Sequence, residues 1–519
     1  MAAERILRYG RRDVRAVPRR AARRSEGVRH AVRPNPNMQP ASRDPGPDPM
    51  KVDTVIVGAG TAGLSALREV RRYTEDFLIV NEGDWGTTCA TVGCMPSKAL
   101  IEAANAFHRR HAFEEMGIRG ASALRAEIPA VLAHVRDLRD GFAAGPRSVP
   151  EDLGARAVSG RARLAGPGRV EIEGESVEAR AIILAPGSRP IVPRPWRAFG
   201  ARILTSDTLF ERADLPPRIA VVGLGAIGVE LAQALARLGL EVAGFDAAET
   251  LAGIDDAEVL AAFRPLLERE LAVHLGAEAA LRETEDGIEV RGGEGRFVAD
   301  AVLAAMGRQP NVEDLGLETL GVPLGPDGLP EIDPETQRIG ELPVFLAGDG
   351  NGDRPLLHEA ADDGHIAGRG AAPDAARAGH CRRTPLSIVF AAPQVARVGP
   401  PRSELPEDRL VCAEADFSRQ ARARMAGEAA GLLRVFADRK TGRLLGAEMC
   451  VPAAEHLAHL LALAVEQEMT VADVLAMPFY HPVIEEGLRG ALRAVSRELP
   501  DKGGSDLSDC GDIGQEALE

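Results

Sequence analysis

The sequence comprises 519 residues, of which 45% are apolar and 27% are charged. This composition is typical of a globular enzyme, and the length suits about three or four domains. No apolar run is long enough for a membrane-spanning helix, so we expect no membrane association. Six cysteines are too few for a disulfide scaffold in so long a chain, which favours a reducing compartment, the cytoplasm.

Charge is distributed unevenly along the chain. Residues 1–49 contain twelve arginines and five acidic residues, a net charge of +7. Because the whole chain carries −15, the remaining residues carry −22, which argues against nucleic acid as a substrate. The Arg-rich segment has three interpretations: an organelle-targeting peptide, a basic arm, or an upstream start that adds nothing to the fold. We favour a disordered, non-essential leader, with folding information beginning at Met50.

From Met50 the chain predicts a strand, a glycine turn and a helix. The apolar run over residues 52–57 is typical of a strand buried on both faces of a parallel sheet. The turn that follows has the spacing of a dinucleotide-binding fingerprint. Its three glycines are Gly58, Gly60 and Gly63. A second predicted strand, over residues 77–80, is followed by Glu82, whose carboxylate is placed to accept hydrogen bonds from a ribose.

The same pattern recurs about 165 residues later, which indicates a second dinucleotide site or a duplicated fold. Residues 219–222 predict its strand, and a helix over 229–238 follows the turn. The glycines of this turn are Gly223, Gly225 and Gly228. Asp246 stands where the ribose-binding acid is expected, and a carboxylate there suits a free 2′-hydroxyl but repels a 2′-phosphate. Since no arginine follows within a dozen residues, the sequence predicts NAD and not NADP.

Two cysteines, Cys89 and Cys94, are separated by four residues between the two fingerprints. This spacing allows a small disulfide ring if the backbone turns at Gly93. A helix is predicted to open at residues 96–98, and the dipole at its N-terminus favours the thiolate form that attacks disulfides. The alternatives are two buried cysteines that never touch, or half of a zinc site, although no second close cysteine pair occurs. We predict a redox-active disulfide and no metal site.

Near the C-terminus, His481 follows a tyrosine in the polar segment of a predicted α+β domain. A lone histidine is more often structural than catalytic. Glu486 changes this expectation, because Pro482 can begin a helix whose first turn lets Glu486 reach back to the imidazole. A carboxylate on one ring nitrogen sets the tautomer and raises the basicity of the other nitrogen. We therefore predict that His481 and Glu486 are catalytic.

Taken together, these motifs make the chain similar to the pyridine nucleotide–disulfide oxidoreductases, and within them to the dihydrolipoyl dehydrogenases. The resemblance rests on the cysteine motif, the two glycine fingerprints, and residues 307–311, 347–349 and 481–486. It covers roughly residues 52–495 and implies bound FAD and NAD. It also implies an α/β fold with two Rossmann-like domains, one for FAD and one for NAD, and a C-terminal α+β dimerisation domain that forms a homodimer.

The resemblance also implies domain boundaries. They are a leader over 1–49, an FAD domain over 50–205 and 330–375, an NAD domain over 206–329, a dimerisation domain over 380–498 and an acidic disordered tail over 499–519. Among the residues outside the fingerprints, Gly187 and Gly307 are expected to contact a cofactor. Asp349 is expected to bind the ribityl chain of the flavin, and Lys98 is expected to pair with Glu230 beside the reactive nitrogen of the flavin.

One residue departs from the family pattern, since Pro186 stands where the family has threonine. Proline lacks an N–H and restricts φ, so a local contact with nucleotide is in doubt. We expect a modest effect on kinetics and no loss of FAD.

The activity implied by the resemblance is FAD- and NAD-dependent oxidation of a protein-bound dihydrolipoyl group. Cys89 would exchange with the dithiol, His481 of the other subunit would remove its proton, and Cys94 would contact the flavin. The lipoylated carrier stays open among a 2-oxoacid dehydrogenase E2 component, a glycine cleavage H-protein and a dedicated lipoate-binding protein. Two alternatives remain: an NADH-dependent reductase of another small-molecule or protein disulfide, and a cofactor-bound subunit with a structural or redox-sensing role.

Overall fold

In the computed structural model, residues 49–374 and 379–500 are described. The Arg-rich leader and nearly all of the acidic tail expected from the sequence lie outside these residues. Within them, the strands form five sheets, one of which is a two-stranded ribbon. No helix in this part of the chain combines the length and the apolar character needed to cross a bilayer.

A seven-stranded sheet flanked by helices forms the first domain. Its elements are β1 (Met50–Val57), α1 (Thr61–Val70), β2 (Phe77–Asn81), α2 (Thr88–Thr91), α3 (Cys94–His108), α4 (Ile128–Leu153), β3 (Ala157–Ser159), β4 (Ala162–Gly166), β5 (Arg169–Ile172) and β6 (Glu175–Leu184). Strand β1 pairs in parallel with β2 and β6, so that Val57 lies opposite both Val80 and Leu184. The glycine turn after β1 therefore lies at the carboxyl edge of the sheet, where dinucleotides bind in such folds.

The second domain repeats this plan around a five-stranded sheet. The next elements are β7 (Ser188–Pro190), β8 (Ile203–Leu204), α5 (Ser206–Leu209), β9 (Arg218–Val222), α6 (Ala226–Arg237), β10 (Glu241–Phe245), α7 (Ala257–Glu268), β11 (Ala272–His274), β12 (Ala280–Thr284), β13 (Gly287–Gly292), β14 (Gly295–Ala299), β15 (Ala301–Ala304) and β16 (Arg308–Pro310). The parallel strand order is β11-β10-β9-β15-β8, and β12, β13 and β14 form a separate antiparallel sheet. The two predicted Rossmann-like domains are thus present.

The second domain occupies a shorter stretch than the predicted 206–329. Strand β8 already pairs with β15 at Ile203, so the domain begins before residue 206. After β16, Val312 and Leu317 pack with Val55 in the core of the first domain, so the chain has returned there well before residue 330. The reason is the antiparallel ribbon of β7 and β16. In this ribbon, the segment that enters the second domain pairs with the segment that returns to the first domain.

The remaining elements complete the first domain and build a third. They are β17 (Val344–Leu346), α8 (Leu357–Gly370), β18 (Leu386–Val389), β19 (Gln394–Val398), β20 (Leu410–Asp416), α9 (Ala421–Ala426), β21 (Leu432–Asp438), β22 (Leu444–Val451), α10 (Ala454–Glu466), α11 (Val471–Leu475) and α12 (Glu485–Glu498). Strand β17 pairs with β6, whereas the last five strands form an antiparallel sheet in the order β18-β19-β22-β21-β20. Buried Val435, Leu457 and Leu488 join this sheet to α10 and α12. The predicted α+β domain and its covering helix are therefore present.

Close packing of two helices sets the geometry of the first glycine turn. Helix α1, which follows that turn, lies against α8. A Cβ at Gly364 of α8 would lie 2.1 Å from the carbonyl oxygen of Ala62, so only glycine allows this approach. The loop between β17 and α8 is thereby held close to the start of α1.

Candidate active site

The glycine turn after β1 leaves room for a pyrophosphate. Gly58 has φ +100°, and a Cβ there would lie 2.1 Å from the carbonyl oxygen of Ala185. A Cβ at Gly63 would lie 1.9 Å from the carbonyl oxygen of Gly58, so α1 packs directly on the turn. By contrast, a Cβ at Gly60 would meet nothing within 4 Å. The three glycines thus have the tight-turn, open and packing roles of a dinucleotide fingerprint.

The turn after β9 has the same geometry. Gly223 has φ +93°, a Cβ at Gly228 would lie 1.7 Å from its carbonyl oxygen, and Gly225 faces open space. Asp246 directly follows β10, and its carboxylate accepts hydrogen bonds from the N–H of Leu224 at 2.5 Å and of Ala248 at 2.9 Å. Asp246 therefore lies at the glycine turn, where the sequence places the ribose-binding acid.

In the first turn, this position belongs to Asn81 and not to Glu82. Asn81 Oδ1 accepts a hydrogen bond from the N–H of Ala59 at 3.0 Å. Its amide nitrogen donates to loop carbonyl oxygens, including that of Asp84 at 3.2 Å. Glu82 lies one residue further on, and its side chain is exposed. The geometry does not support the predicted ribose contact of Glu82, because β2 extends through Asn81. Val80 lies opposite Val57 in the sheet, so the residue that follows Val80, Asn81, is the one that reaches the glycine turn.

The two cysteines sit on adjoining helices. Cys89 belongs to α2, which Thr87 caps by accepting a hydrogen bond from the N–H of Ala90 at 3.1 Å. Cys94 is the first residue of α3. Between them, a Cβ at Gly93 would lie 3.0 Å from the carbonyl oxygen of Thr88 and 3.2 Å from the Cα of Cys89, so glycine permits the close turn. Both cysteines are half-buried free thiols.

The two thiols differ in acidity. The pKa of Cys94 is lowered to about 7, chiefly by a hydrogen bond from the Cys89 side chain; burial opposes this and the Lys98 ammonium adds to it. The same contact with Cys94, together with burial, raises the pKa of Cys89. Deprotonation therefore begins at Cys94 while Cys89 keeps its proton. This distribution is compatible with the predicted thiolate role of Cys94.

Lys98 and Glu230 form the ion pair that the resemblance implies. Lys98 Nζ lies 2.8 Å from Glu230 Oε2 and 3.1 Å from Oε1. The buried Glu230 also accepts a hydrogen bond from the N–H of Phe390 at 2.8 Å, and the Lys98 ammonium lies 4.8 Å from the centre of the Phe390 ring. These contacts join α3, α6 and the third domain, and they compensate the burial of the carboxylate.

A cleft opens beside the cysteine pair. Its lining includes Gly60, Cys89, Cys94, Lys98, Gly187, Glu230 and Asp349. Gly307, by contrast, is exposed directly before the ribbon strand β16 and does not line this cleft. Asp349 Oδ2 accepts a hydrogen bond from Ser188 Oγ at 2.7 Å, and its Oδ1 has no hydrogen-bond partner within residues 49–374 and 379–500. Open space at Gly60, a free carboxylate oxygen at Asp349 and the Lys98 cation together fit a flavin dinucleotide.

Pro186 is accommodated next to this cleft. Its carbonyl oxygen accepts a hydrogen bond from Asn311 Nδ2 at 3.0 Å. A Cβ at Gly350 would lie 2.8 Å from the proline ring, so the ring packs on the loop that carries Asp349. The expected modest effect on kinetics stays a prediction.

His481 and Glu486 are paired, but not at this cleft. His481 Nδ1 lies 2.9 Å from Glu486 Oε1, and this hydrogen bond lowers the pKa of Glu486. Glu486 Oε2 accepts from the N–H of Val483 at 3.2 Å. Helix α12 begins at Glu485 and not at Pro482. His481 is exposed, and it does not line the cleft of its own chain.

Known proteins resemble the chain along most of its length. The model of the pyridine nucleotide-disulphide oxidoreductases matches residues 52–364, and the dimerisation domain of that family matches residues 386–492. Dihydrolipoyl dehydrogenases of Thermus scotoductus and Halobacterium salinarum are each 31% identical to it. The first match covers 86% of this chain and 98% of the relative, and the second covers 84% and 94%.

Solved structures agree on the fold. LpdA from Mycobacterium tuberculosis superposes with a TM-score of 0.74 at 25% identity, covering 86% of this chain and all of that one. The HOCl-induced flavoprotein disulfide reductase RclA from Escherichia coli, in its Cu(II) complex, gives a TM-score of 0.75 at 21% identity and covers 86% and 99% of the two chains. The family uses FAD and NAD, which the two glycine turns suit. This chain belongs to the pyridine nucleotide-disulphide oxidoreductases, a family of flavoprotein oxidoreductases, and carries their dimerisation domain.

Proposed function

We propose that this chain is an NAD-dependent dihydrolipoyl dehydrogenase that oxidises protein-bound dihydrolipoyl groups to the lipoyl disulfide. The observation that carries the proposal is the His481–Glu486 pair. Its carboxylate occupies Nδ1, while Nε2 has no hydrogen-bond partner in the described part of the chain and faces solvent. A dithiol must lose protons as it is oxidised, and an imidazole oriented in this way suits a general base. Relatives named dihydrolipoyl dehydrogenase support the same activity.

In the proposed reaction, His481 accepts a proton, and Cys89 and Cys94 exchange disulfide bonds with the substrate. His481 takes the proton of one substrate thiol, and the resulting thiolate attacks Cys89 Sγ of the oxidised Cys89–Cys94 disulfide. This forms a mixed disulfide and releases Cys94 as thiolate. The second substrate sulfur then attacks the first, which closes the lipoyl disulfide, and Cys89 leaves with the remaining proton. The substrate has lost two electrons, and the cysteine pair holds them as one thiol and one thiolate, in agreement with the pKa directions.

Cofactor binding in this proposal uses the residues of the cleft and of the second glycine turn. Asp349 and Lys98 would hold FAD, and Asp246 would select the free ribose of NAD⁺. When bound, FAD and NAD⁺ would supply the redox chemistry that reoxidises the cysteine pair.

The proposed active site is shared by two chains. His481 is exposed outside the cleft of its own chain, and it belongs to the domain that matches the family's dimerisation domain. In a two-fold homodimer, His481 of the partner subunit can complete the site at Cys89, because both subunits then present the same two surfaces to each other.

Steady-state assays of the FAD-loaded protein test this proposal. With dihydrolipoamide and NAD⁺, we expect steady formation of NADH. Glu486→Gln should lower kcat at least about tenfold, because the orientation and the tautomer of His481 depend on that carboxylate. The matched control is Glu485→Gln, which removes the neighbouring carboxylate that does not touch His481 and should leave kcat unchanged. Lipoylated E2, H-protein and lipoate-binding protein can then be compared as carriers by kcat/KM.

Two outcomes would contradict the proposal. Failure to oxidise dihydrolipoamide, combined with NADH-dependent reduction of another disulfide, would favour the reductase alternative. No turnover in either assay would favour a structural or redox-sensing component.

A further inference from the structure

Ser188 lies between an arginine and the aspartate of the cleft. Its Oγ is 2.7 Å from Asp349 Oδ2 and 2.9 Å from Arg308 Nε. Arg308 also donates to the carbonyl oxygen of Ser188 at 2.7 Å. Ser188 begins β7 and Arg308 begins β16, so this contact lies within the ribbon that connects the first two domains. The serine side chain is buried.

The direction of these hydrogen bonds follows from the chemistry of the groups. A guanidinium can only donate, so the Ser188 oxygen accepts from Arg308. The single hydroxyl proton is then left for Asp349 Oδ2, which can only accept when ionised. Arg308 is itself held by Asp207, whose Oδ1 lies 3.1 Å from Nη1. The hydroxyl of Ser188 therefore has one defined orientation.

This arrangement leaves one oxygen of Asp349 for a ligand. Oδ2 is occupied by Ser188, whereas Oδ1 has no hydrogen-bond partner among the described residues and Asp349 lines the cleft. A carboxylate bonded through one oxygen cannot rotate freely, so the direction of its other lone pairs is set before any ligand arrives. Such preorganisation lowers the entropy cost of binding.

We propose that Ser188 is a positioning residue, which orients Asp349 to accept hydrogen bonds from the ribityl hydroxyls of FAD. The inference rests on the proposed function, since that assigns Asp349 to the flavin. Ser188 acts through Asp349, and this role requires no direct contact between Ser188 and the cofactor. FAD affinity therefore depends on the ribbon of β7 and β16 as well as on the glycine turn.

The test measures FAD binding to the apoprotein by quenching of flavin fluorescence. Ser188→Ala should raise the Kd for FAD about tenfold, the loss expected for one hydrogen bond to a charged group. Ser206→Ala is the matched control, because its hydroxyl also accepts from Arg308, at 3.3 Å, but does not touch Asp349. It should leave the Kd unchanged. Ser188→Thr keeps the hydroxyl and should bind FAD like the unmodified chain.

A double variant separates positioning from general support of the fold. Asp349→Ala alone should raise the Kd for FAD, and Ser188→Ala should add nothing in that background, because its effect passes through the missing carboxylate. The thermal midpoint of the apoprotein should be the same for Ser188→Ala and Ser206→Ala. If Ser188→Ala does not fold, Ser188→Cys replaces it, since the thiol fills the same space but donates weakly.

The roles of Ser188 and Asp349 can be overturned separately. An unchanged Kd in Ser188→Ala, alongside a raised Kd in Asp349→Ala, would overturn the positioning role alone. An equal rise in Ser188→Ala and Ser206→Ala would also overturn it. An unchanged Kd in Asp349→Ala would overturn the assignment of Asp349 to the flavin, and with it part of the proposed function.

Discussion

Asn81 and Asp246 occupy equivalent positions in the two glycine turns of this protein. Asn81 ends β2 and Asp246 directly follows β10, and each accepts a hydrogen bond from the N–H after the first glycine, Ala59 at 3.0 Å and Leu224 at 2.5 Å. The two turns thus share a backbone geometry but differ in charge at the residue that accepts this hydrogen bond. The first site has a neutral amide, and the second has a carboxylate.

The first prediction concerns the neutral position. Asn81→Ala should raise the Kd for FAD by about 5- to 10-fold, because it removes an acceptor for the ribose and the acceptor that holds the Ala59 N–H. Glu82→Gln is the control and should leave the Kd unchanged, since its side chain is exposed. Fluorescence titration of the apoprotein checks both variants. A larger rise of the Kd in Glu82→Gln than in Asn81→Ala would indicate that Glu82, and not Asn81, contacts the ribose.

The second prediction concerns nucleotide choice. A 2′-phosphate beside Asp246 would be a like-charge contact that costs several kcal/mol, so kcat/KM should favour NAD⁺ over NADP⁺ at least about 100-fold. Asp246→Asn keeps an acceptor for the Leu224 N–H, as Asn81 does for Ala59, and should reduce this preference. Steady-state kinetics with both nucleotides measure it. Equal efficiencies in the unmodified protein would show that Asp246 does not face the ribose.

The third prediction concerns the acidity of Cys94. In the reduced protein, the thiolate of Cys94 should form as the pH rises through about 7. Lys98→Met should move this midpoint to higher pH, because the ammonium stabilises the thiolate. Glu230→Gln should move it to lower pH, because the carboxylate opposes the thiolate.

The rate of iodoacetamide alkylation at Cys94, mapped by mass spectrometry across pH, measures these midpoints. Lys51→Met serves as the charge-matched control, since Lys51 pairs with Glu178 at the edge of the first domain and should leave the midpoint unchanged. Shifts of the same sign in the Lys98 and Glu230 variants would contradict the electrostatic explanation.

The fourth prediction concerns the outer thiol. Cys89→Ser should abolish turnover of dihydrolipoamide while FAD stays bound, because thiol exchange needs that sulfur and the flavin site does not. Flavin content after gel filtration and steady-state kinetics check the two parts. Loss of FAD from the folded variant, or unchanged turnover, would contradict the role of Cys89.

The fifth prediction concerns the shared active site. Removal of a general base typically costs roughly 10²–10⁴-fold, so His481→Gln homodimers should be nearly inactive, as should Cys89→Ser homodimers. In a heterodimer of the two variants, one site would carry both changes and the other would carry neither. Isolated heterodimers should therefore recover activity at one site.

Differently tagged chains allow the heterodimers to be purified and sized. If each chain built its own site, both sites would carry one change and stay inactive. Verified heterodimers without activity would rule out the shared site.

Much of the fold and part of the site could be predicted from the sequence. The two glycine turns, the buried strands that precede them and the turn at Gly93 follow from residues close together in the chain. There, backbone sterics leave few conformations, and the spacing of glycines reports them directly. The presence of two Rossmann-like domains and the proximity of Cys89 and Cys94 could be predicted for this reason. The pairing of Lys98 with Glu230 came from the family resemblance, not from local pattern.

Other features were decided only by tertiary structure. The register of β2 placed Asn81, and not Glu82, at the glycine turn, because pairing with β1 sets Val80 opposite Val57 and Asn81 ends the strand. The ribbon brought Ser188 to Arg308 and Asp349, residues 120 and 161 positions away in the chain. His481 was left outside the cleft of its own chain. Such contacts depend on strand register and domain packing, which distant residues determine together and no local spacing records.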